Sequence, residues 1–113
     1  MADRSFLDWP FFEPRHRALA ADLESWADGH LAAVDHADTD ATCRGLVTAL
    51  GEAGFLHHTS DMDGLLDVRA LCLSREILAR HDGLADFAFA MQGLGTGAIS
   101  LFGTGAPKEA WVP

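Results

Sequence analysis

The sequence predicts an all-α fold, a helical bundle of about four main helices plus a short terminal helix, and three observations carry that expectation. Apolar residues recur at helical spacing in three separate stretches before Leu84. No alternating run long enough for a convincing strand appears in that part of the chain. The segment "DFAFAMQGLGTGAISLFGTGAPK", from Asp86 to Lys108, carries no charged side chain between its ends. Such a segment suits a helix enclosed by other helices.

The chain has 113 residues, the size of one domain that can bury a modest core. Hydrophobic residues make up 49% and charged residues 22%, a balance that folds rather than remaining disordered. The formal net charge is −9 and the eight Lys and Arg residues are scattered, which excludes a nucleic-acid partner because phosphate contacts need clustered cations. Cys43 and Cys72 fall among apolar helical residues and read as buried free thiols of a reducing compartment. The opening "MADRSFLDWPFFEP" is mixed in charge and rich in aromatics, unlike a signal peptide, so the expected location is cytoplasmic.

The first helix follows Pro14, a first-turn proline, and runs for about five turns through "RHRALAADLESWADGHLAAV". Leu19, Leu23, Trp26, Leu31 and Val34 share its buried face, with Ala27 and His30 at the margin. Arg17, Asp22, Glu24 and Asp28 are expected in water. A second helix starts after "DHADTDATC", capped by Asp40 or Thr39, and passes through Cys43, Leu46, Val47 and Leu50. It stops at Gly54, where glycine can take a left-handed conformation. "FLHHTSDMDGLL" then reads as a loop with Asp63-Gly64 as its turn. A third helix, "DVRALCLSREILARHDG", is expected to be capped by Asp67 and closed by Gly83. Its buried stripe would be Val68, Leu71, Cys72, Ile77 and Leu78, leaving Arg69, Glu76 and Arg80 in solvent.

The uncharged segment admits three readings. A membrane span fits on length, and Gly93-x-x-x-Gly97 fits a helix-packing motif. Gln92, Thr96 and Ser100 weaken that reading, and no basic flank anchors it, so no span is expected. "GLGTGA" satisfies a dinucleotide-loop pattern, but three helices precede it where a strand is needed. A central bundle helix fits best. Its glycines would let neighbouring backbones or a flat ligand approach closely. Phe87, Ala90, Met91 and Leu94 lie together on one side, and both pocket lining and plain core packing fit these four positions.

Independent catalytic signals are absent. His57-His58 with Asp61 and Asp63 are metal-ligand residue types, but adjacent histidines in a loop point apart. "DMDGLL" also lacks calcium-loop spacing, since Cys72 stands where the final Glu belongs. No metal site is expected. His81, at a helix C-terminus, suits the negative end of the helix dipole.

From "LCLSREILARHDGLADFAFAMQGLGTGAISLFGTGAPKEAWVP" the chain resembles the end of the N-terminal helical domain of acyl-CoA dehydrogenases. The matching features are the Glu76 to Arg80 run, the Gly-rich helix, Phe102-Gly103, and the closing Trp111-Val112-Pro113. Upstream, "LVTALGEAGFL", Leu46 to Leu56, is similar to the family's helix end before a Gly-Phe/Leu-Leu turn. The resemblance covers about residues 10 to 113. It departs after Leu56, where "HHTSDMDGLL" replaces the usual extended stretch and Gly-Gly-x-Gly turn.

What the resemblance implies is a role without a catalytic residue in this chain. Residues 1–113 would be the N-terminal helical domain, without the flavin-contacting β-domain and the C-terminal helical domain that supplies the catalytic carboxylate. The parent would be an FAD-dependent oxidoreductase that abstracts an α-proton from an acyl-CoA thioester and passes hydride to the flavin. Phe87, Ala90, Met91 and Leu94 would lie nearest the acyl tail. Partners would be the acyl-CoA, the remaining domains and further copies of the full-length enzyme. The alternative is a stand-alone helical assembly or partner-subunit module without redox chemistry.

Overall fold

Each long helix begins where a carboxylate can take up its free N–H groups, and these four caps set the architecture of the computed structural model, which describes residues 3–112. Helix α1 spans Pro14–His30, with Glu13 and His16 forming a reciprocal capping box. Helix α2 spans Thr39–Glu52, α3 Val68–His81, α4 Gly83–Phe102 and α5 Gly105–Trp111. Short 3₁₀ turns occupy Ser5–Asp8 and Phe55–His58. No strand occurs among the described residues, so the expected all-α bundle of four main helices and a short terminal one is what forms.

Several boundaries differ from expectation. The cap of α2 is Asp38, not Asp40 or Thr39: its side chain accepts from the Ala41 N–H at 2.9 Å, leaving Asp40 inside the first turn. Helix α1 stops at His30, and Val34 is reached through a turn rather than another helical turn. Gly83 does not close α3. Asp82 takes an extended conformation there and ends α3, while its side chain accepts from the N–H groups of Leu84 and Ala85 and so starts α4. Asp67 caps α3 as expected, accepting from Arg69 and Ala70. Gly54 takes the left-handed conformation expected of it (φ 84°), and Gly64, in the expected turn, proves left-handed too (φ 71°).

The core gathers Leu19, Leu23 and Ala27 of α1, Leu46 and Leu50 of α2, Ile77 and Leu78 of α3, and Ala85, Ala88 and Phe89 of α4. Leu23, Leu50, Leu78 and Phe89 are fully buried. Each contributes about 1.5–3 kcal/mol of transfer free energy. The buried stripe of α3 is rotated from the expected one. Ala70, Leu73, Ser74, Ile77 and Leu78 face inward, whereas Val68 and Cys72 are exposed and Leu71 is half-buried. Because α3 lies between α1 and α4, the small side chains Ala70 and Ser74 sit where neighbours press closest. Both cysteines are free, but neither is buried: Cys43 is half-buried and Cys72 exposed.

The principal extents are 44 × 42 × 18 Å, a slab less than two helix diameters thick. A slab of this thickness cannot cover every face of any helix. Helix α4 packs on α2, α3 and α5, yet Phe87, Met91, Leu94, Leu101 and Phe102 remain exposed along it. The expectation that all its faces are covered is therefore wrong for this chain. None of the described helices is long and apolar enough to cross a membrane. Gly93 to Ala98 lies inside α4 with no strand before it, which removes the dinucleotide-loop reading.

Candidate functional site: the α4 face

Spacing i, i+3, i+4, i+7 along α4 brings Phe87, Ala90, Met91 and Leu94 onto one side. Phe87 is 53% exposed and Leu94 72%, while Ala90 is half-buried. Two of the four border a groove. Ala90 and Leu94 line a groove of about 240 Å³ between α3, α4 and the loop that follows the Phe55–His58 turn. Phe87 and Met91 lie outside that groove, on the open face. The opposite wall comes from Thr59 and Leu66 of the loop and Leu71 of α3, with Phe89 behind them.

The loop is held against α4 at two points. The Asp61 N–H donates to Ser100 Oγ at 3.3 Å, and a Cβ on Gly64 would stand 3.1 Å from the Ser100 carbonyl oxygen. A Cβ on Gly93 would make an ordinary 3.5 Å contact with the Thr59 carbonyl oxygen. On Gly95 and Gly97 it would meet nothing within 4 Å. These two glycines do not bring backbones of this chain together, contrary to the expectation for the Gly-rich helix; they leave the α4 face open.

Arg75 borders the groove with its guanidinium committed to Asp86 through two bonds of 2.8 and 2.9 Å. The remaining walls are apolar or hydroxyl-bearing. The groove can hold an apolar ligand and contributes no proton-transfer group or nucleophile of its own.

Two polar clusters lie elsewhere, and sequence reading missed both. His16 is buried at the start of α1. Its Nδ1 accepts from the Glu13 N–H at 3.0 Å, so the ring proton sits on Nε2 and is donated to Asp67 Oδ2 at 2.8 Å. Asp67 also receives Arg15 at 2.7 Å. Burial alone would raise the Asp67 carboxyl; the His16 bond, the Ala70 N–H and the Arg15 guanidinium outweigh it and hold it below the usual range.

Glu24, expected in water, is buried between α1 and α3. It receives His81 at 2.8 Å, Arg4 at 3.0 Å and a charge-assisted bond from Arg80. Burial again acts upward, and the bonds from His81 and Arg80 with the nearby guanidinium charges leave its carboxyl lowered. Glu24, Asp28 and His81 offer ligand atoms within 4.8 Å of one another. Two guanidinium groups already neutralise Glu24, so the cluster is an ion-pair network. The Glu24–Asp28 spacing of one helical turn was visible in sequence, but nothing local pointed to His81. His57, His58 and Asp61 border a separate polar pocket of about 180 Å³. Asp61 Oδ1 is engaged by the Asp63 N–H at 2.6 Å, closing the turn.

Among known proteins, a family model described as acyl-CoA dehydrogenase, N-terminal domain, matches residues 13–113. No curated protein gives a significant match.

Proposed function

The chain belongs to the acyl-CoA dehydrogenase family through its N-terminal domain, and from that membership we propose that α4 forms one wall of an acyl-chain pocket. The reaction served is α,β-dehydrogenation of an acyl-CoA thioester by an FAD-dependent enzyme. Phe87, Ala90, Met91 and Leu94 are the side chains that meet the acyl tail. The observation that supports this most is the uncovered apolar face of α4, where open glycines and the groove beside Ala90 and Leu94 leave room for an alkyl chain. A slab with one uncovered apolar face also suits packing against the other domains of such an enzyme.

The described residues do not fit a flavin cradle. A dinucleotide pyrophosphate is commonly held by free N–H groups at a helix N-terminus. Here the starts of α1, α2, α3 and α4 are each occupied by a carboxylate: Glu13, Asp38, Asp67 and Asp82. At α2, α3 and α4 a phosphate would have to displace a carboxylate that already accepts the free N–H groups. Flavin binding and hydride transfer are therefore assigned to other parts of the enzyme.

Photo-cross-linking tests the pocket assignment. An acyl-CoA with a diazirine at the end of its chain, bound to the enzyme that carries this domain, should label the peptide spanning Leu84 to Phe102. Labelling confined to other segments would sink the reading. A parent that binds no acyl-CoA would favour the assembly-module alternative.

A further inference from the structure

Leu66 borders two spaces at once. It lines the groove of about 240 Å³ beside Ala90 and Leu94, and it also lines the polar pocket of about 180 Å³. Among the described residues no other lines both, so the half-buried Leu66 stands between them. The loop presents this residue from two anchored stretches. Before it, the Asp61 N–H donates to Ser100 Oγ at 3.3 Å and Lys108 Nζ donates to the Met62 carbonyl at 2.7 Å. After it, Asp67 Oδ2 receives His16 at 2.8 Å and Arg15 at 2.7 Å, while Oδ1 accepts the N–H groups of Arg69 and Ala70.

The two spaces differ in chemistry. The polar groups along the groove are already engaged: the Thr59 hydroxyl donates to the Leu56 carbonyl at 2.7 Å, and Arg75 is paired with Asp86. An alkyl chain therefore strands nothing there. The pocket beyond Leu66 presents Arg15, His57, His58, Asp61 and Asp67. Hydrocarbon entering it would cover charged and hydrogen-bonding groups without supplying partners, which is unfavourable. Size is no obstacle in the groove itself, since a cavity of roughly 150 Å³ already holds a six-carbon ring.

We propose that Leu66 sets the length of acyl chain that the α4 groove accepts, ending the apolar path and shutting it off from the polar pocket. The substrate class is then an acyl-CoA with an unsubstituted alkyl tail of limited length, its last carbons lying against Leu66. This inference rests on the acyl-pocket reading and deepens it.

The test is made in the enzyme that carries this domain, with kcat/KM measured for a series of straight-chain acyl-CoAs. Leu66→Ala vacates space at the end of the groove. Chains just beyond the wild-type limit should gain about tenfold or more relative to the best wild-type substrate. Leu66→Phe fills the same space, so the longest accepted chain should lose about tenfold or more while the shortest is unchanged. Leu66→Met, close to leucine in volume, should keep the wild-type profile. Melting temperatures establish that each variant is folded; should Leu66→Ala fail to fold, Leu66→Phe against Leu66→Met decides. A chain-length profile that stays parallel to wild type in the folded Ala and Phe variants overturns the proposal. If an acyl-CoA with a terminal diazirine still labels the Leu84 to Phe102 peptide in that case, the pocket reading survives and only the role of Leu66 falls. Labelling confined to other segments, or a parent that binds no acyl-CoA, removes both.

Discussion

His16 Nε2 lies 2.8 Å from Asp67 Oδ2, joining the first turn of α1 to the cap of α3 across 51 residues. Both ring nitrogens are in use, and the same carboxylate caps α3 with its other oxygen. Removing Asp67 therefore strands the buried His16 N–H, whereas removing His16 leaves Asp67 with Arg15 and its two capping N–H groups. Asp67→Ala loses an N-cap and orphans a buried N–H, so it should cost about 2–4 kcal/mol. His16→Ala should cost about 2–3 kcal/mol from lost packing and lost bonds. Urea denaturation of the two single variants and the double variant tests the coupling. Strictly additive losses would show that the pair does not act as a unit.

Acid should weaken this fold in two stages. His58 is lowered chiefly by burial, against an upward pull from Asp67, so the unfolded chain takes up this proton before the folded one does. Its contribution is present above the ordinary histidine range and is lost as pH falls from about 6.5 downward. Glu24 and Asp67 are also lowered in the fold, so their contribution is lost further down, as pH falls through and below the ordinary carboxylate range. Melting temperature followed against pH should show both stages. His58→Gln should remove the upper one alone; an unchanged profile in that variant would refute the assignment to His58.

The sequence revealed the helices because apolar period and capping chemistry are local. Asp67, Gly54 and Gly64 each act within a few residues of themselves, and all three were placed correctly. Glu24 was not, because a glutamate among polar neighbours on α1 reads as solvated. Its partners Arg80 and His81 come from 56 and 57 residues away. The inward side of α3 was misjudged for a related reason. Val68 and Cys72 are more apolar than Ser74, but three packed helices select for small volume at the contact. The candidate face of α4 was readable from its period. The groove beside it was not, since Thr59 and Leu66 arrive from a loop that has no period to read.

Two glycines should respond in opposite ways to alanine. Gly64 has φ 71° and faces the Ser100 carbonyl at 3.1 Å, so Gly64→Ala should cost about 1–3 kcal/mol. Gly95 sits inside α4 with open space around it, so Gly95→Ala should stabilise the domain by about 0.5–1 kcal/mol. Thermal melts of both variants decide it. Destabilisation by Gly95→Ala would mean that something of this chain presses on that face after all.

The acyl-pocket reading meets its sharpest test at Ala90. This residue lines the groove beside Leu94 and is the smallest side chain of the four assigned to the acyl tail. Ala90→Phe, made in the enzyme that carries the domain, can direct its ring into the groove. If the groove receives the end of an acyl chain, the longest acyl-CoAs should lose kcat/KM while the shortest accepted ones change little. Each methylene excluded from an apolar pocket is worth on the order of 1–3 kcal/mol, so the loss should steepen with chain length. If Ala90 is only packing, the added ring overfills its surroundings at a cost of about 1–3 kcal/mol in stability and depresses all chain lengths alike. Leu94→Ala supplies the converse, since widening the same groove should extend the accepted length. A uniform loss of activity in Ala90→Phe, with a lowered melting temperature and no gain of longer substrates in Leu94→Ala, would return these residues to the core.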